Sequence, residues 1–349
     1  MPKNKIRHIL VIRFSAMGDV AMTVPVLFAL IRQYPNLRIT VLTRTFFTPM
    51  FTTLPNVEVF RADLKGKHKG FLGLWGLFGE IKGKGIDVVA DLHNVLRTQV
   101  LKRFFVLSGI PFYQIDKGRQ EKKALTKEVG KDFRPLKTTH ERYADVFGRL
   151  GFSLDLSHEF TINKGKLSKK VVGLTGAKTR KWLGIAPFAT FPGKQYPSDL
   201  MEEVISRVSK TERYKIMLFG GGQQEIQLLD TWANMYDGCI NVAGKLSFGG
   251  ELALISNLDA MVSMDSGNGH LAAMYGVPVI TLWGVTHPYA GFAPFEQDIN
   301  NSLLSDRERY PSIPTSVYGN KCPAGYQQVM RTIEAETVVE KIEYVCFKK

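Results

Sequence analysis

The sequence has few cysteines and no long apolar run. Its three cysteines, Cys239, Cys322 and Cys346, are widely spaced and form no CxxC pair. We therefore expect reduced thiols, with neither a disulfide framework nor a zinc site. No segment approaches the roughly 18 uninterrupted apolar residues of a membrane span, so we expect no transmembrane helix. Because Arg13 interrupts the N-terminal apolar run and no small-residue cleavage site follows, we expect a cytoplasmic protein.

Acidic residues are scarce relative to basic ones. The net charge is +14, and the segment from Arg97 to Arg142 has twelve basic residues against five acidic ones. Such an excess indicates an anionic partner. No nucleic-acid module signature accompanies it, so we expect no nucleic-acid partner and favour an acidic acceptor or the anionic inner leaflet of the membrane. A solvated, lysine-rich surface explains the same excess equally well.

The length of 349 residues indicates two domains. Apolar runs alternate with helix-compatible stretches and the pattern restarts near Trp182, which predicts an α/β protein with two parallel, helix-covered sheets. The predicted strands are His8–Phe14, Arg38–Leu42, Val57–Phe60, Ile86–Leu92, LGIAP, KIMLF, Leu258–Met264 and Pro278–Trp283. A polar hinge at Phe152–Lys170 predicts domains over residues 1–165 and 166–325. A C-terminal helical segment, 326–349, is expected to pack back on the first domain.

The loop SAMGD after the first predicted strand ends in a single carboxylate, Asp19. The dinucleotide fingerprint GxGxxG is absent there, which argues against a nicotinamide-dependent enzyme. Pro25 favours the first turn of a helix, so we expect the regular helix to begin near Thr23 and to leave Asp19 on the loop, where it suits a general base. A simple helix-capping role for Asp19 remains the alternative.

Three places in the second half suit a nucleotide diphosphate. The run Asp265, Ser266, Gly267 to His270 leads from a strand into a helix start, where backbone N–H groups favour an anion. Lys194 follows the strand LGIAP and offers a cation. Glu225 follows the three glycines after KIMLF and suits ribose hydroxyls. Taken singly, a cap, a surface lysine and a tight turn explain these features as well.

In this order the motifs resemble one family. RFSAMGDV, PFATFPGKQYP, FGGGQQE and DSGNGHLAAMYGVPVITLWGVTHP together resemble the lipopolysaccharide heptosyltransferases of glycosyltransferase family 9, over nearly the whole chain. The resemblance implies a GT-B fold, in which two Rossmann-like domains with parallel sheets face a central cleft. It also implies inverting transfer of a sugar without a metal or other cofactor. The chain departs from the family pattern at Asn268-Gly269 and at Phe191-Pro192-Gly193.

The resemblance also implies roles for individual residues. Asp19 matches the proposed catalytic base. Lys194, Glu225, Asp265, Ser266, Gly267 and His270 match the donor-binding positions, and the family's usual donor is ADP-heptose. The implied acceptor is an anionic glycolipid such as a lipopolysaccharide core. Candidate acceptor contacts on the first domain are Arg97, Lys102, Arg103 and Arg119.

Several alternatives stay open at this stage. The apolar run Phe71–Phe78 (FLGLWGLF) is interpreted as ordinary core, with contact to the inner membrane as the alternative. A transferase using another nucleotide sugar for a different surface glycan and a nucleotide-sugar epimerase of similar fold are compatible with the same motifs. A nucleic-acid-binding protein is compatible with the charge alone.

Overall fold

A computed structural model describes residues 6–157 and 162–347. The chain divides into two compact units, Met1–Lys117 with Thr139–Phe160, and Gly118–Thr138 with Thr161–Lys349. We call them unit 1 and unit 2. The sequence analysis predicted a first domain over residues 1–165. The structure corrects this prediction for Gly118–Thr138, which belongs to unit 2.

The segment Gly118–Thr138 belongs to unit 2 through contacts that are distant in sequence. Leu125 and Leu136 form a small buried cluster with Ala290. The N–H of Leu136 donates to the carbonyl of Tyr289 at 2.9 Å. Local composition does not show these pairings, since the segment itself is polar and basic.

The described residues form two parallel sheets, as the sequence predicted. Their strands are β1 (His8–Ile12), β2 (Arg38–Arg44), β3 (Val57–Ala62), β4 (Val88–Asp91), β5 (Phe112–Gln114), β6 (Lys181–Ala186), β7 (Tyr214–Leu218), β8 (Cys239–Asn241), β9 (Ala260–Met264), β10 (Val279–Trp283) and β11 (Ser302–Leu304). Unit 1 has the order β3-β2-β1-β4-β5 and unit 2 the order β11-β10-β9-β6-β7-β8. Strand β1 is buried along its whole length, which explains its unbroken apolar run.

Helices cover these sheets. They are α1 (Met17–Ala21), α2 (Thr23–Gln33), α3 (Gly70–Lys82), α4 (Leu96–Leu107), α5 (Arg119–Leu125), α6 (Thr139–Arg149), α7 (Lys169–Thr175), α8 (Ser198–Lys210), α9 (Gln223–Met235), α10 (Phe248–Ile255), α11 (Gly267–Ala273) and α12 (Ala335–Phe347). Short 3-10 turns occur at Thr45–Phe51, Pro192–Lys194, Pro288–Ala290, Ile299–Asn301 and Val329–Thr332. In the part of the chain that the structure describes, no helix combines the length and the apolar character that crossing a membrane requires.

The C-terminal helix α12 packs on α8. Its apolar stripe, Val338, Ile342 and Cys346, lies in the core of unit 2. An ion pair between Arg207 and Glu336 also joins the two helices. The expectation that this helix packs back on the first domain is therefore corrected. An amphipathic pattern predicts that a helix has a buried face, but it does not identify the surface that buries it.

Candidate active site

At the carboxyl edge of the first sheet, a buried arginine holds a carboxylate. Arg13 directly follows β1, and its Nη2 lies 2.6 Å from Oδ2 of Asp19. Its Nη1 donates to the carbonyl of Leu92, just after β4, at 2.6 Å. The guanidinium also lies over the ring of Tyr143, 5.8 Å from the centroid. Arg13 is thus fixed by groups from two helices, α1 and α6, and by the end of one strand, β4.

Asp19 lies in the first turn of α1, which corrects the expectation that it lies on a loop. The longer helix α2 does begin at Thr23. Oδ2 of Asp19 accepts a hydrogen bond from the N–H of Ala16 at 3.2 Å, so the predicted capping role is present. Oδ1 accepts no hydrogen bond from the described residues. The side chain is 26% exposed against 8% for Arg13, so the outer oxygen remains available to a ligand.

The end of β4 adds two polar residues to which sequence reasoning gave no role. Asp91 accepts hydrogen bonds from the N–H groups of His93 and Asn94 at 2.9 and 3.0 Å. Its second oxygen accepts from Nε2 of Gln114 at 2.9 Å. Burial and the charge of Arg13 lower the pKa of His93 to about 3, so this imidazole is neutral near pH 7. The signal in the sequence was the motif DLHN at a strand end.

The four basic acceptor candidates do not lie together on one unit. Arg97, Lys102 and Arg103 lie on α4 of unit 1, whereas Arg119 begins α5 in unit 2. Lys102 donates from Nζ to Oε1 of Gln114 at 2.9 Å and so contacts the network around Asp91. Arg97 and Arg103 are exposed. The placement of Arg119 corrects the prediction that the first domain contains all four.

In unit 2, a lysine and a carboxylate meet at the carboxyl edge of the sheet. Lys194 ends the turn Pro192–Lys194 after β6, and its Nζ lies 3.2 Å from Oδ2 of Asp265, which follows β9. Both side chains are largely buried. Glycine is required beside this turn, because a Cβ on Gly284 would lie 2.2 Å from the carbonyl oxygen of Gly193.

The start of α11 presents a buried hydroxyl. Ser266 occupies the position before the first helical residue, Gly267, with an extended backbone. Its Oγ is buried and has no hydrogen-bond partner among the described residues. Gly269 lets α11 approach β9, since a Cβ there would lie 2.6 Å from Oγ of Ser263. His270 is buried in the same helix.

Glu225 lies in the first turn of α9, after β7. Its Oε2 accepts from the N–H of Gly221 at 2.7 Å and so closes the glycine loop. Gly222 has φ +93°, which favours glycine. Strand β6 lies between β9 and β7, so Lys194, Asp265 and Glu225 follow three adjacent strands.

The two edges differ in what they present to a ligand. The edge of unit 1 presents a carboxylate oxygen, which suits proton abstraction from a hydroxyl. The edge of unit 2 presents a lysine, a serine hydroxyl and a helix start, which suit an anionic group. Among residues 6–157 and 162–347, no group of three or more His, Cys, Asp or Glu side chains is placed to hold a metal ion.

Comparison with known proteins agrees with this arrangement. The family described as glycosyltransferase family 9 (heptosyltransferase) matches residues 75–319. The chain is 26% identical to lipooligosaccharide heptosyltransferase 2 of Haemophilus influenzae, over 98% of this chain and 100% of that protein.

Two solved structures show the same fold. The glycosyl transferase family 9 protein from Veillonella parvula has a TM-score of 0.76 at 20% identity, covering 98% of each chain. The E. coli heptosyltransferase WaaC, solved with ADP-2-deoxy-2-fluoro heptose, has a TM-score of 0.67 at 18% identity, covering 96% of this chain and 99% of that chain. The predicted GT-B architecture of two parallel α/β domains is confirmed. The chain belongs to glycosyltransferase family 9 (heptosyltransferase) and is a glycosyltransferase.

Proposed function

We propose that this protein transfers a heptose from ADP-heptose, with inversion at the anomeric carbon, to a lipopolysaccharide core or related anionic glycolipid. The observation that supports this most directly is the Asp19 carboxylate. One of its oxygens is fixed by Arg13 and Ala16, and the other accepts no hydrogen bond from the described residues. A base of fixed orientation with one available oxygen is what deprotonation of an acceptor hydroxyl requires.

In the proposed reaction, Oδ1 of Asp19 takes the proton from the acceptor hydroxyl. The hydroxyl oxygen forms the new bond to the anomeric carbon while the bond from that carbon to the diphosphate oxygen breaks. ADP leaves with the bonding electron pair. Arg13 is a positioning residue in this step, because it reaches the acceptor only through Asp19.

The donor site is assigned to unit 2. Lys194 and the N–H groups at the start of α11 stabilise the diphosphate as it gains charge, and they act more strongly on the transition state than on the bound donor. Oγ of Ser266 donates to the same diphosphate, which supplies a partner for a buried hydroxyl. Asp265 orients Lys194 through their contact of 3.2 Å. The free oxygen of Glu225 accepts from the ribose, and His270 supports α11 from within unit 2. The ADP-sugar analogue in the E. coli WaaC structure supports ADP as the nucleotide.

The acceptor site is assigned to unit 1. Arg97, Lys102 and Arg103 on α4 bind the anionic groups of the glycolipid. Arg119 lies in unit 2, and its contact with the acceptor stays a prediction. The same proposal places the enzyme in the cytoplasm, at the inner membrane.

A transfer assay tests the proposal. The purified chain is incubated with ADP-heptose and a lipopolysaccharide acceptor that lacks heptose, and ADP release and product mass are followed together. We expect ADP release that requires the acceptor, and a product whose anomeric configuration, measured by NMR, is inverted. Preference for a UDP- or GDP-sugar would keep the transferase and change the donor. Free or epimerised sugar formed without acceptor would contradict transfer and indicate an epimerase.

A further inference from the structure

The solvent face of α3 is unusual for a helix exposed to water. Residues 70–79, GFLGLWGLFG, contain no polar side chain. Leu74 and Leu77 are buried in the core of unit 1, whereas Leu72 is 82% and Trp75 55% exposed. A helix that is apolar on all sides is normally buried on all sides. This helix is covered on one side only, so the run that the sequence analysis interpreted as core is core on one face alone.

The exposed apolar surface extends to the neighbouring helix α4. The rings of Phe71 and Trp75 pack against Phe104 of α4, with centroids 5.3 and 4.9 Å apart. At about 100° per residue, Leu107 lies about 60° around α4 from Phe104. Leu107 is 86% exposed. We call the exposed side chains of Phe71, Leu72, Trp75 and Leu107 the apolar patch.

The charges beside the apolar patch are mainly positive. The one carboxylate in the segment that leads into α3, Asp63, accepts hydrogen bonds from the N–H groups of Gly66 and Lys67. Lys65 and Lys69 lie in the segment that leads into α3, and Arg97 and Arg103 lie on α4. All four are exposed, and none forms an ion pair within the part of the chain that the structure describes. The carboxylate nearest in sequence on α3, Glu80, is already paired with Lys67 at 2.8 Å. Helix α4 itself has no acidic residue.

We propose that the apolar patch and these four cations bind the surface of an anionic lipid bilayer, with α3 lying at the interface. Tryptophan and leucine side chains insert at the boundary between headgroups and acyl chains, and lysine and arginine bind anionic headgroups. Gly76 and Gly79 have nothing within 4 Å of the position of an added Cβ, so packing within the chain does not require glycine there. Small residues on this face allow the helix backbone to lie close to a flat surface.

Charge also decides against a second copy of the chain as the occupant. A symmetric contact through the apolar patch brings the same surface of both copies together. It would place Lys65, Lys69, Arg97 and Arg103 near their own counterparts, and like charges at such a contact are unfavourable. An anionic bilayer offers acyl chains to the apolar patch and anionic headgroups to the four cations. The inference rests on the proposed function, which places the enzyme at the inner membrane, and assigns the surface that makes this contact. Vesicle binding can be measured whether or not a sugar is transferred, so the two proposals can fail separately.

The tryptophans make a direct test possible. Trp182, Trp232 and Trp283 are each 1% exposed, so Trp75 is the one tryptophan of the four whose environment changes when the patch is covered. The full chain is titrated with vesicles of phosphatidylglycerol and phosphatidylethanolamine, and tryptophan emission and acrylamide quenching are recorded. We expect emission to move to shorter wavelength and quenching to fall, with little change for phosphatidylcholine vesicles or at high salt.

Variants complete the test. Leu72→Ser should lower vesicle affinity about tenfold through loss of an inserted apolar side chain. Lys69→Gln should lower it about fivefold through loss of one cation at the surface. Met235→Ser, on the exposed side of α9 in unit 2, is the matched control and should bind as the unmodified chain does. Leu72→Ser should also retain transfer to a soluble acceptor fragment.

Three results would overturn the inference. They are unchanged emission with anionic vesicles, equal binding by Leu72→Ser and the unmodified chain, and an emission shift that depends on protein concentration without lipid. The last result would assign the patch to a second copy of the chain. Loss of transfer with vesicle binding intact would contradict the proposed function instead.

Discussion

Each unit places an ion pair at the carboxyl edge of its sheet, and the two pairs differ in how far their carboxylates are exposed. In unit 1 the arginine is the more buried partner, 8% exposed, and the carboxylate of Asp19 is 26% exposed. In unit 2 the carboxylate of Asp265 is 9% and Lys194 is 13% exposed. The pair in unit 1 therefore exposes its carboxylate, whereas the two partners in unit 2 are almost equally buried. We propose that the same α/β architecture serves proton abstraction at one edge and diphosphate binding at the other.

The more buried residue of each ion pair, Arg13 in unit 1 and Asp265 in unit 2, also differs in the number of its contacts. Arg13 is fixed by Asp19, by the carbonyl of Leu92 and by the ring of Tyr143. Among the residues that the structure describes, Asp265 has a single ion-pair partner, Lys194. We expect the geometry of unit 1 to tolerate change poorly, whereas unit 2 should respond mainly in donor affinity. Changes in each pair should therefore have separable effects.

The largest expected effect is that of Asp19→Asn. The amide retains the size of the side chain but cannot take a proton, so kcat should fall about 10³-fold. The affinity for ADP should be unchanged, because the diphosphate is assigned to unit 2. Acceptor-dependent ADP release and ADP titration measure the two quantities. Turnover within a few-fold of the unmodified enzyme would remove Asp19 from the role of base.

Lys194→Gln should weaken ADP binding, which Asp19→Asn should leave unchanged. Loss of the cation should lower kcat/KM for the donor about 10²-fold and weaken ADP binding. Lys245→Gln is the control, since Lys245 also pairs with a carboxylate, Asp230 at 3.3 Å, but on the exposed surface. If both variants lost donor affinity equally, the assignment of the diphosphate to Lys194 would be wrong.

Arg13→Lys tests whether geometry matters beyond charge. Lysine keeps the positive charge, but its single ammonium group cannot reproduce the two fixed nitrogens with which the guanidinium contacts Asp19 and the carbonyl of Leu92. We expect kcat to fall roughly tenfold with the donor KM unchanged, as for a base that is slightly misplaced. A full retention of kcat would show that the charge of Arg13 is sufficient. A change confined to thermal stability would indicate a structural role only.

Ser266→Ala separates ligand binding from stability. Because Oγ of Ser266 has no partner among the described residues, its removal should not lower the melting temperature. The affinity for ADP should fall about tenfold, the effect of one hydrogen bond to a charged group. Ser247→Ala is the matched control, since Ser247 precedes α10 and its hydroxyl accepts from the N–H of Gly250. Ser247→Ala should lose stability and keep its ADP affinity. If Ser266→Ala instead lost stability and kept ADP affinity, the assignment of Ser266 to the diphosphate would be wrong.

The smallest expected effect concerns the pH dependence of folding stability, to which two buried histidines contribute, one in each unit. Burial and Arg13 lower the pKa of His93 to about 3, and burial and Arg307 lower that of His287 to about 4. The unfolded chain therefore binds more protons below pH 6.5, so stability falls as pH falls towards the folded-state pKa. His93→Gln and His287→Gln should each flatten this decline, measured by urea unfolding between pH 4.5 and 8. An unchanged slope would mean that the histidine is already charged in the folded protein.

The strands that position both edges were predictable because they are buried and apolar. Strand β1, HILVI, was evident, whereas β5, FYQ, is half-buried and only three residues long, too short for a pattern. Asp19 was found through its motif. The role of Arg13 was missed, because a charged residue at the end of an apolar run has meaning only with its partner, and the partner is known only from the fold.

The same limit explains the wrong assignments. Helix α5 and the residues after it join unit 2 through Leu125 and Leu136 meeting Ala290, more than a hundred positions away in the sequence. Composition reports that a segment is basic but not which sheet it packs against. The exposed half of α3 was missed in the same way, since an apolar run predicts burial.

Thermal stabilisation by ADP tests the division of roles between the two units most directly, since a ligand that binds the folded state raises the melting temperature by mass action. The unmodified chain, Asp19→Asn and Lys194→Gln are compared at the same ADP concentrations. We predict equal stabilisation of the unmodified chain and Asp19→Asn, and little for Lys194→Gln. Stabilisation that is lost in Asp19→Asn and kept in Lys194→Gln would contradict the account, because it would place the diphosphate at the edge of unit 1.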